Sequence, residues 1–278
     1  MKHEEYSWTS FDGLSMFAQS WQPDAPRAVI SLVHGVGDHS GRYPYFVPAM
    51  TDAGYAVNAF DLRGHGRSGG PRVHAPSYDA LLRDIDVHLQ NTRQRFPGLP
   101  HVLYGHSFGG AQVLCYTMKR TPALAAVVAS SPGLASGVRQ PALKVAAGRL
   151  LSRLTPTLHI PLGSPTATLS TDPAWVSKSL QDPMFHKTLS ARIGIIQLDA
   201  NEWIRAQTSF PVPLLLMQGT GDRYVDPQAT IAFARNLAGE VTLKVWDGLG
   251  HELHNELPRA EVLTFVRAWL DERVGRGR

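Results

Sequence analysis

An α/β fold with a mostly parallel sheet and helices on both faces is what this sequence predicts, on three observations. Its β-branched runs are apolar throughout rather than alternating, as expected of strands covered on both faces. Helical patterns fall between those runs, so strand and helix follow each other with crossover connections. Polar residues with chemical potential stand directly after several of the runs, where open α/β sheets bind their ligands.

Six runs read as strands: 28–33 (AVISLV), 55–60 (YAVNAF), 101–104 (HVLY), 124–129 (LAAVVA), 213–218 (PLLLMQ) and 241–246 (VTLKVW). Helical patterns occupy 78–96, 108–119, 228–237 and 258–270, the last with Pro258 at a plausible first turn. The rhythm breaks after Pro132 and resumes at Pro211, with Pro- and Ser-rich pieces and short helical stretches between. An insertion between two strands of one sheet explains this better than a second domain. The expected organisation is a core of residues 1–131, a mainly helical cap insertion of 132–207, and a second core segment of 208–278.

Within the insertion, residues 142–154 (ALKVAAGRLLSRL) carry Leu143, Ala147, Leu150, Leu151 and Leu154 on one helical face, beside Lys144, Arg149 and Arg153. Two roles are open to that face: packing on the domain below, or a rim that touches membrane or a lipid substrate.

Composition narrows the classes of function. With 278 residues, 43% of them hydrophobic, the chain can bury a full core. No apolar run approaches the roughly 18 residues of a membrane span, and MKHEEYSWTS is charged where a signal peptide is apolar, so a cytoplasmic location is expected. A net charge of +4 without blocks of like charge argues against nucleic acid as partner. The single cysteine, Cys115, excludes an intramolecular disulfide and a cysteine-rich zinc site, and its apolar surroundings read as core.

At about 7% each for glycine and serine, a Gly-x-Ser-x-Gly match is expected roughly 0.1 times in a chain of this length. Two occur, around Ser68 and Ser107. Ser68 has glycines in place of a preceding strand and Pro71 where a helix should begin. Ser107 has a strand before it and a helix after it. Small neighbours at 105 and 109 would let a strained nucleophile turn close; a helix N-cap is the bland alternative.

A serine hydroxyl needs a base to take its proton, and that base needs an acid to fix its tautomer. Asp222 follows the run 213–218 and His251 follows 241–246, so Ser, Asp and His emerge in that order at strand ends. His254 competes as base; Asp226 and Asp247 compete as acid, although Asp226 precedes Pro227 as an N-cap would. The N–H groups of Phe108 and of Val36, in the loop after the first central strand, are the expected oxyanion donors. His251-Glu-Leu-His254 lacks the spacing of a metalloprotease motif, and neither metal nor cofactor is expected.

Together these stretches resemble the serine hydrolases of the α/β-hydrolase fold, and most closely their monoacylglycerol lipase and lysophospholipase group. The likeness runs through HGVGDHSGRY (34–43), FDLRGHGRSGG (60–70), YGHSFGG (104–110), LLLMQGTGDRYVDP (214–227) and DGLGHELHNELP (247–258). The resemblance implies hydrolysis of one fatty acyl ester from a glycerol head group without a cofactor. It puts Ser107, Asp222 and His251 on the triad, Val36 and Phe108 on the oxyanion donors, and Asp38, Arg42 and His254 around the glycerol pocket. It also implies an acyl tunnel under the cap and a membrane-facing outer surface.

Relatives usually carry Glu at 38, Met at 108 and a smaller residue at 36; Asp38 is shorter, and Arg42 has a structural salt bridge as its alternative role. Lysophospholipids, short esters or small peptides are the competing substrates on the same triad. A non-catalytic binding protein would not need nucleophile, base, acid and donors all in register.

Overall fold

Every one of the six apolar runs becomes a strand in the computed structural model of the protein, which describes residues 1–138, 140–162 and 169–275. Arg139 and residues 163–168 of the expected cap, and 276–278 of the second core segment, lie outside the described residues. An antiparallel hairpin comes first, β1 (Lys2–Thr9) and β2 (Ser15–Gln22). Then follow β3 (Ala28–Val33), β4 (Tyr55–Phe60), β5 (His101–His106) and β6 (Ala126–Ser130), with β9 (Leu214–Gly219) and β10 (Val241–Trp246) beyond the insertion. Among the described residues these eight form one sheet in the order β1-β2-β4-β3-β5-β6-β9-β10. Only β2 runs against its neighbours, β1 and β4; the other pairs are parallel.

Alternate residues of the central strands feed two separate cores, which is why their runs are continuously apolar. In β9, Leu214 and Leu216 join Leu82, Ile85, Val113 and Leu114, from α2 (Tyr78–Arg95) and α3 (Phe108–Arg120). Leu215 and Met217 join Phe46 and Met50 of α1 (Phe46–Asp52) and Val262, Val266 and Leu270 of α8 (Arg259–Val274). Cys115 is buried in the first core, where desolvation pushes its thiol up to about 11 and removes it as a nucleophile.

The β1–β2 hairpin escaped the sequence reading. β1 is an edge strand carrying Lys2, His3, Glu4 and Glu5, so it has charge where the central strands have Val and Leu.

The insertion supplies α4 (Ala142–Leu154), the short antiparallel pair β7 (His159–Pro161) and β8 (Thr188–Ser190), α5 (Pro173–Gln181) and α6 (Ala191–Arg205). Helix α4 has the bounds its pattern predicts, and its orientation bears on the two roles open to its apolar face. Gly148 and the buried Ser152 turn inward, Gly148 toward Ile195 of α6. Leu143, Leu150 and Leu154 are 83%, 57% and 70% exposed. Those three leucines of the stripe therefore face outward, while Leu151 is half-buried.

Candidate active site

Ser107 sits between β5 and α3 with φ 55° and ψ −117°, a conformation that costs free energy for a residue with a Cβ. Its surroundings over-determine it. The Ser107 N–H donates to Ser130 O at 2.9 Å, and its carbonyl accepts from Ala111 N at 3.0 Å and Gly133 N at 2.8 Å. A Cβ at Gly105 would collide with the carbonyl of Gly109, and one at Gly109 with that of Val33, so the turn closes only with glycine at both places. Ser107 begins α3 without capping it through its side chain. Its Oγ lies 2.8 Å from His251 Nε2 instead. The second motif serine, Ser68, is a buried bolt: its hydroxyl donates to Asp61 O at 2.5 Å and accepts from Phe17 N at 2.9 Å.

His251 Nδ1 lies 2.8 Å from Asp222 Oδ2. A carboxylate only accepts, so Nδ1 carries the proton and Nε2 presents a lone pair to the serine hydroxyl. Asp222 is held in turn by Gln218 Nε2 on Oδ2 (3.0 Å), and by the N–H groups of Tyr224 (2.8 Å) and Val225 (3.1 Å) on Oδ1. Burial pushes the Asp222 carboxyl up, but the charge and hydrogen bond of His251, with the N–H groups of Val225 and Tyr224, hold it below its ordinary value. Burial pushes His251 down; the charge and hydrogen bond of Asp222, with Glu252 and Asp38 beyond, reverse this and raise it.

The competing acids lie elsewhere. Asp226 caps α7 (Pro227–Asn236) through Gln228 N at 2.9 Å, as its place before Pro227 suggests, and Asp247 is exposed beside Thr220. The competing base His254 is stacked on Tyr43 with centroids 4.7 Å apart. Its pKa is pushed down to about 4, chiefly by burial.

The loop after β3 closes the other side. Gly35 packs so near that a Cβ on it would lie 3.3 Å from Ser107 Cβ. Among the described residues neither Val36 N–H nor Phe108 N–H has a backbone acceptor outside helix or strand, and Phe108, the first residue of α3, has none within the helix. His34 pins this loop from below, its Nδ1 donating to Gly35 O (2.7 Å) and its Nε2 accepting from Leu62 N (2.9 Å).

A narrow cleft of about 30 Å³ lies over Ser107, lined by Val36, Asp38, His106, Tyr224 and His251 and by Leu162, Leu169 and Phe185 from the insertion. Asp38 borders the cleft, whereas His254 packs behind His106, centroids 4.9 Å apart. Arg42 is buried behind the wall, its Nε 2.7 Å from Asp38 Oδ1 and its Nη2 3.0 Å from both Glu252 Oε1 and Ser179 Oγ. That is the geometry of a structural ion pair. Glu252 escaped the sequence reading. It follows His251 directly, accepts from Arg42, from Asn255 Nδ2 at 2.9 Å and from Trp175 Nε1, and no local pattern marks it as buried.

Residues 24–258 match the family described as serine aminopeptidase, S33. An uncharacterized abhydrolase domain-containing protein of Dictyostelium discoideum is 34% identical over 268 residues, spanning 95% of this chain and 28% of that protein's length. The monoacylglycerol lipase of Mycolicibacterium smegmatis is 34% identical over 271 residues, 96% of each chain. The crystal structure of Paleococcus ferrophilus monoacylglycerol lipase superposes with a TM-score of 0.83 at 30% identity, covering 98% of this chain and 100% of that one. The chain thus belongs to the serine aminopeptidase S33 family of α/β-hydrolases, within its monoacylglycerol lipase-like group, and is a carboxylic ester hydrolase.

Proposed function

We propose that this enzyme hydrolyses the fatty acyl ester of monoacylglycerols to glycerol and fatty acid through an acyl-enzyme on Ser107. The hydrogen-bonded chain Ser107–His251–Asp222, with both links at 2.8 Å, carries the reading. Ser107 Oγ attacks the ester carbonyl carbon as its proton passes to His251 Nε2, and Asp222 stabilises the imidazolium. The oxyanion accepts from Val36 N–H and Phe108 N–H, the latter at a helix N-terminus. The bond to glycerol oxygen breaks, and that oxygen takes the proton from His251. Water then attacks the acyl carbon, gives its proton to His251, and the fatty acid leaves as Ser107 recovers its own.

Apolar Leu162, Leu169 and Phe185 suit an acyl chain, while Asp38 suits a glycerol hydroxyl at the polar end. Arg42 and His254 act from behind this pocket by holding Asp38 and His106 in place. In this reading residues 132–207 form a cap over a core made of 1–131 and 208–278. The test is a panel of monoacylglycerols of graded chain length, lysophosphatidylcholine and short p-nitrophenyl esters. A monoacylglycerol should have the highest kcat/KM; preference for the choline lipid would make the enzyme a lysophospholipase.

The exposed Leu143, Leu150 and Leu154 of α4, flanked by exposed Lys144 and Arg153, support peripheral contact with a membrane that delivers substrate. Among the described residues no helix is long and apolar enough to cross one. At roughly 1 kcal/mol for each partly inserted leucine, replacing all three with glutamine should weaken vesicle binding on the order of a hundredfold. Sedimentation with vesicles checks this, and hydrolysis of vesicle-borne monoacylglycerol should fall relative to that of a dissolved short ester. An unchanged ratio would remove the membrane role.

A further inference from the structure

The backbone that leaves α5 crosses directly over the loop carrying Val36. His186 N–H donates to Gly37 O at 2.8 Å. Gly37 has φ 74°, and a Cβ on it would collide with the carbonyl oxygen of His186, so the two backbones approach as only glycine permits. Four residues earlier, Asp182 joins the same two segments with one carboxylate. Its Oδ1 accepts from Met184 N at 2.9 Å and so shapes the turn that presents Phe185 and His186. Its Oδ2 lies 2.9 Å from His39 Nε2 and 3.8 Å from Arg42 Nη1.

His39 Nδ1 accepts from Gly41 N at 3.2 Å, so its Nε2 carries a proton and donates to Asp182 without the ring needing to be charged. The Phe185 ring covers the Arg42 guanidinium, 4.5 Å from its centroid. Burial pushes the Asp182 carboxyl up, but the His39 and Met184 hydrogen bonds and the Arg42 charge hold it below its ordinary value.

The loop from Val36 to Arg42 is thus gripped from above by the insertion as well as from below by His34. An oxyanion donor must sit within a few tenths of an ångström of its place, and Val36 N–H belongs to a loop rather than to a sheet ladder. We infer that Asp182 is a positioning residue for the oxyanion hole: clamped on His39 and Arg42, it holds the turn whose His186 N–H fixes the Gly37 peptide, and through it the Val36 N–H. This rests on the reading that Val36 receives the oxyanion. It makes the insertion a structural part of the reaction centre rather than a lid alone.

The test compares two ligands in Asp182→Asn. A trifluoromethyl ketone forms a tetrahedral adduct whose oxygen fills the oxyanion hole; a non-hydrolysable ether analogue of monoacylglycerol fills the same cleft without one. Asp182→Asn keeps the Met184 turn and loses the charge. It should lower kcat/KM and trifluoromethyl ketone affinity together, by about ten- to a hundredfold, with KM and ether affinity unchanged.

Asp182→Glu should recover part of the loss. Gly37→Ala, which strikes the same joint from the loop side, should give the same pattern. Asp199→Asn, which cuts only an exposed ion pair with Arg149 in the same insertion, should not. An unchanged ketone affinity in Asp182→Asn overturns the proposal, as does an equal fall for the ether, which would mean that Asp182 shapes the cleft. Ser107→Ala separates the two readings. If it abolishes turnover while Asp182→Asn leaves ketone affinity intact, the clamp alone is wrong; if it retains turnover, both are.

Discussion

Ser107→Ala is expected to lower kcat by about 10⁶-fold while leaving the protein folded, the scale seen when a triad nucleophile is removed. The substitution deletes one hydroxyl and keeps a Cβ, so alanine meets the same positive φ that Ser107 already bears, braced by Ser130, Ala111 and Gly133. His251 loses its Nε2 partner but keeps Asp222. A fluorophosphonate probe should label the wild type and not the variant, with melting temperatures within a few degrees of each other. Equal labelling would put the nucleophile elsewhere, and Ser68 is no substitute because its hydroxyl is fully engaged with Asp61 and Phe17.

Asp222→Asn should lower kcat by about 10⁴-fold, and the hydrogen bonds around the side chain say why. Two backbone N–H groups, of Tyr224 and Val225, point at Oδ1, so the asparagine oxygen settles there. Its NH₂ then faces His251, which must accept at Nδ1 and carry its proton on Nε2. That nitrogen can no longer take the serine proton. The pH profile should move as well. In the wild type, kcat/KM rises as His251 loses its proton, with a midpoint above the ordinary 6.5 because Asp222, Glu252 and Asp38 hold the imidazole up against burial. Without the Asp222 charge the residual activity should titrate at lower pH. A midpoint that does not move would mean that another carboxylate sets the His251 proton.

How much of this could be read beforehand differs from residue to residue. The convergence of Ser107, Asp222 and His251 was legible because a parallel sheet puts the carboxyl ends of its strands on one side, so residues that follow separate strands meet whatever lies between them. The choice of Asp222 over Asp226 was partly legible, since Asp-Pro before an apolar pattern is a capping signal, and Asp226 does cap α7. Nothing local distinguished Arg42 as a ligand from Arg42 as a brace. Its partners Asp38, Ser179, Asp182 and Glu252 are scattered over two hundred residues, and only folding gathers them.

The sequence by itself determined where six of the eight strands run and which end of the sheet carries the chemistry, because continuous apolar runs and the residues that follow them are local properties. It also determined which residues of α4 share a face. Tertiary structure alone decided which way that face points. Periodicity constrains neighbours along a helix and says nothing about what packs against them, so Leu143, Leu150 and Leu154 read alike whether buried or, as here, turned outward. The same limit hid Glu252 and Asp182. A charge is stable in a buried position only beside partners of opposite sign, and the chain supplies those partners from distant segments.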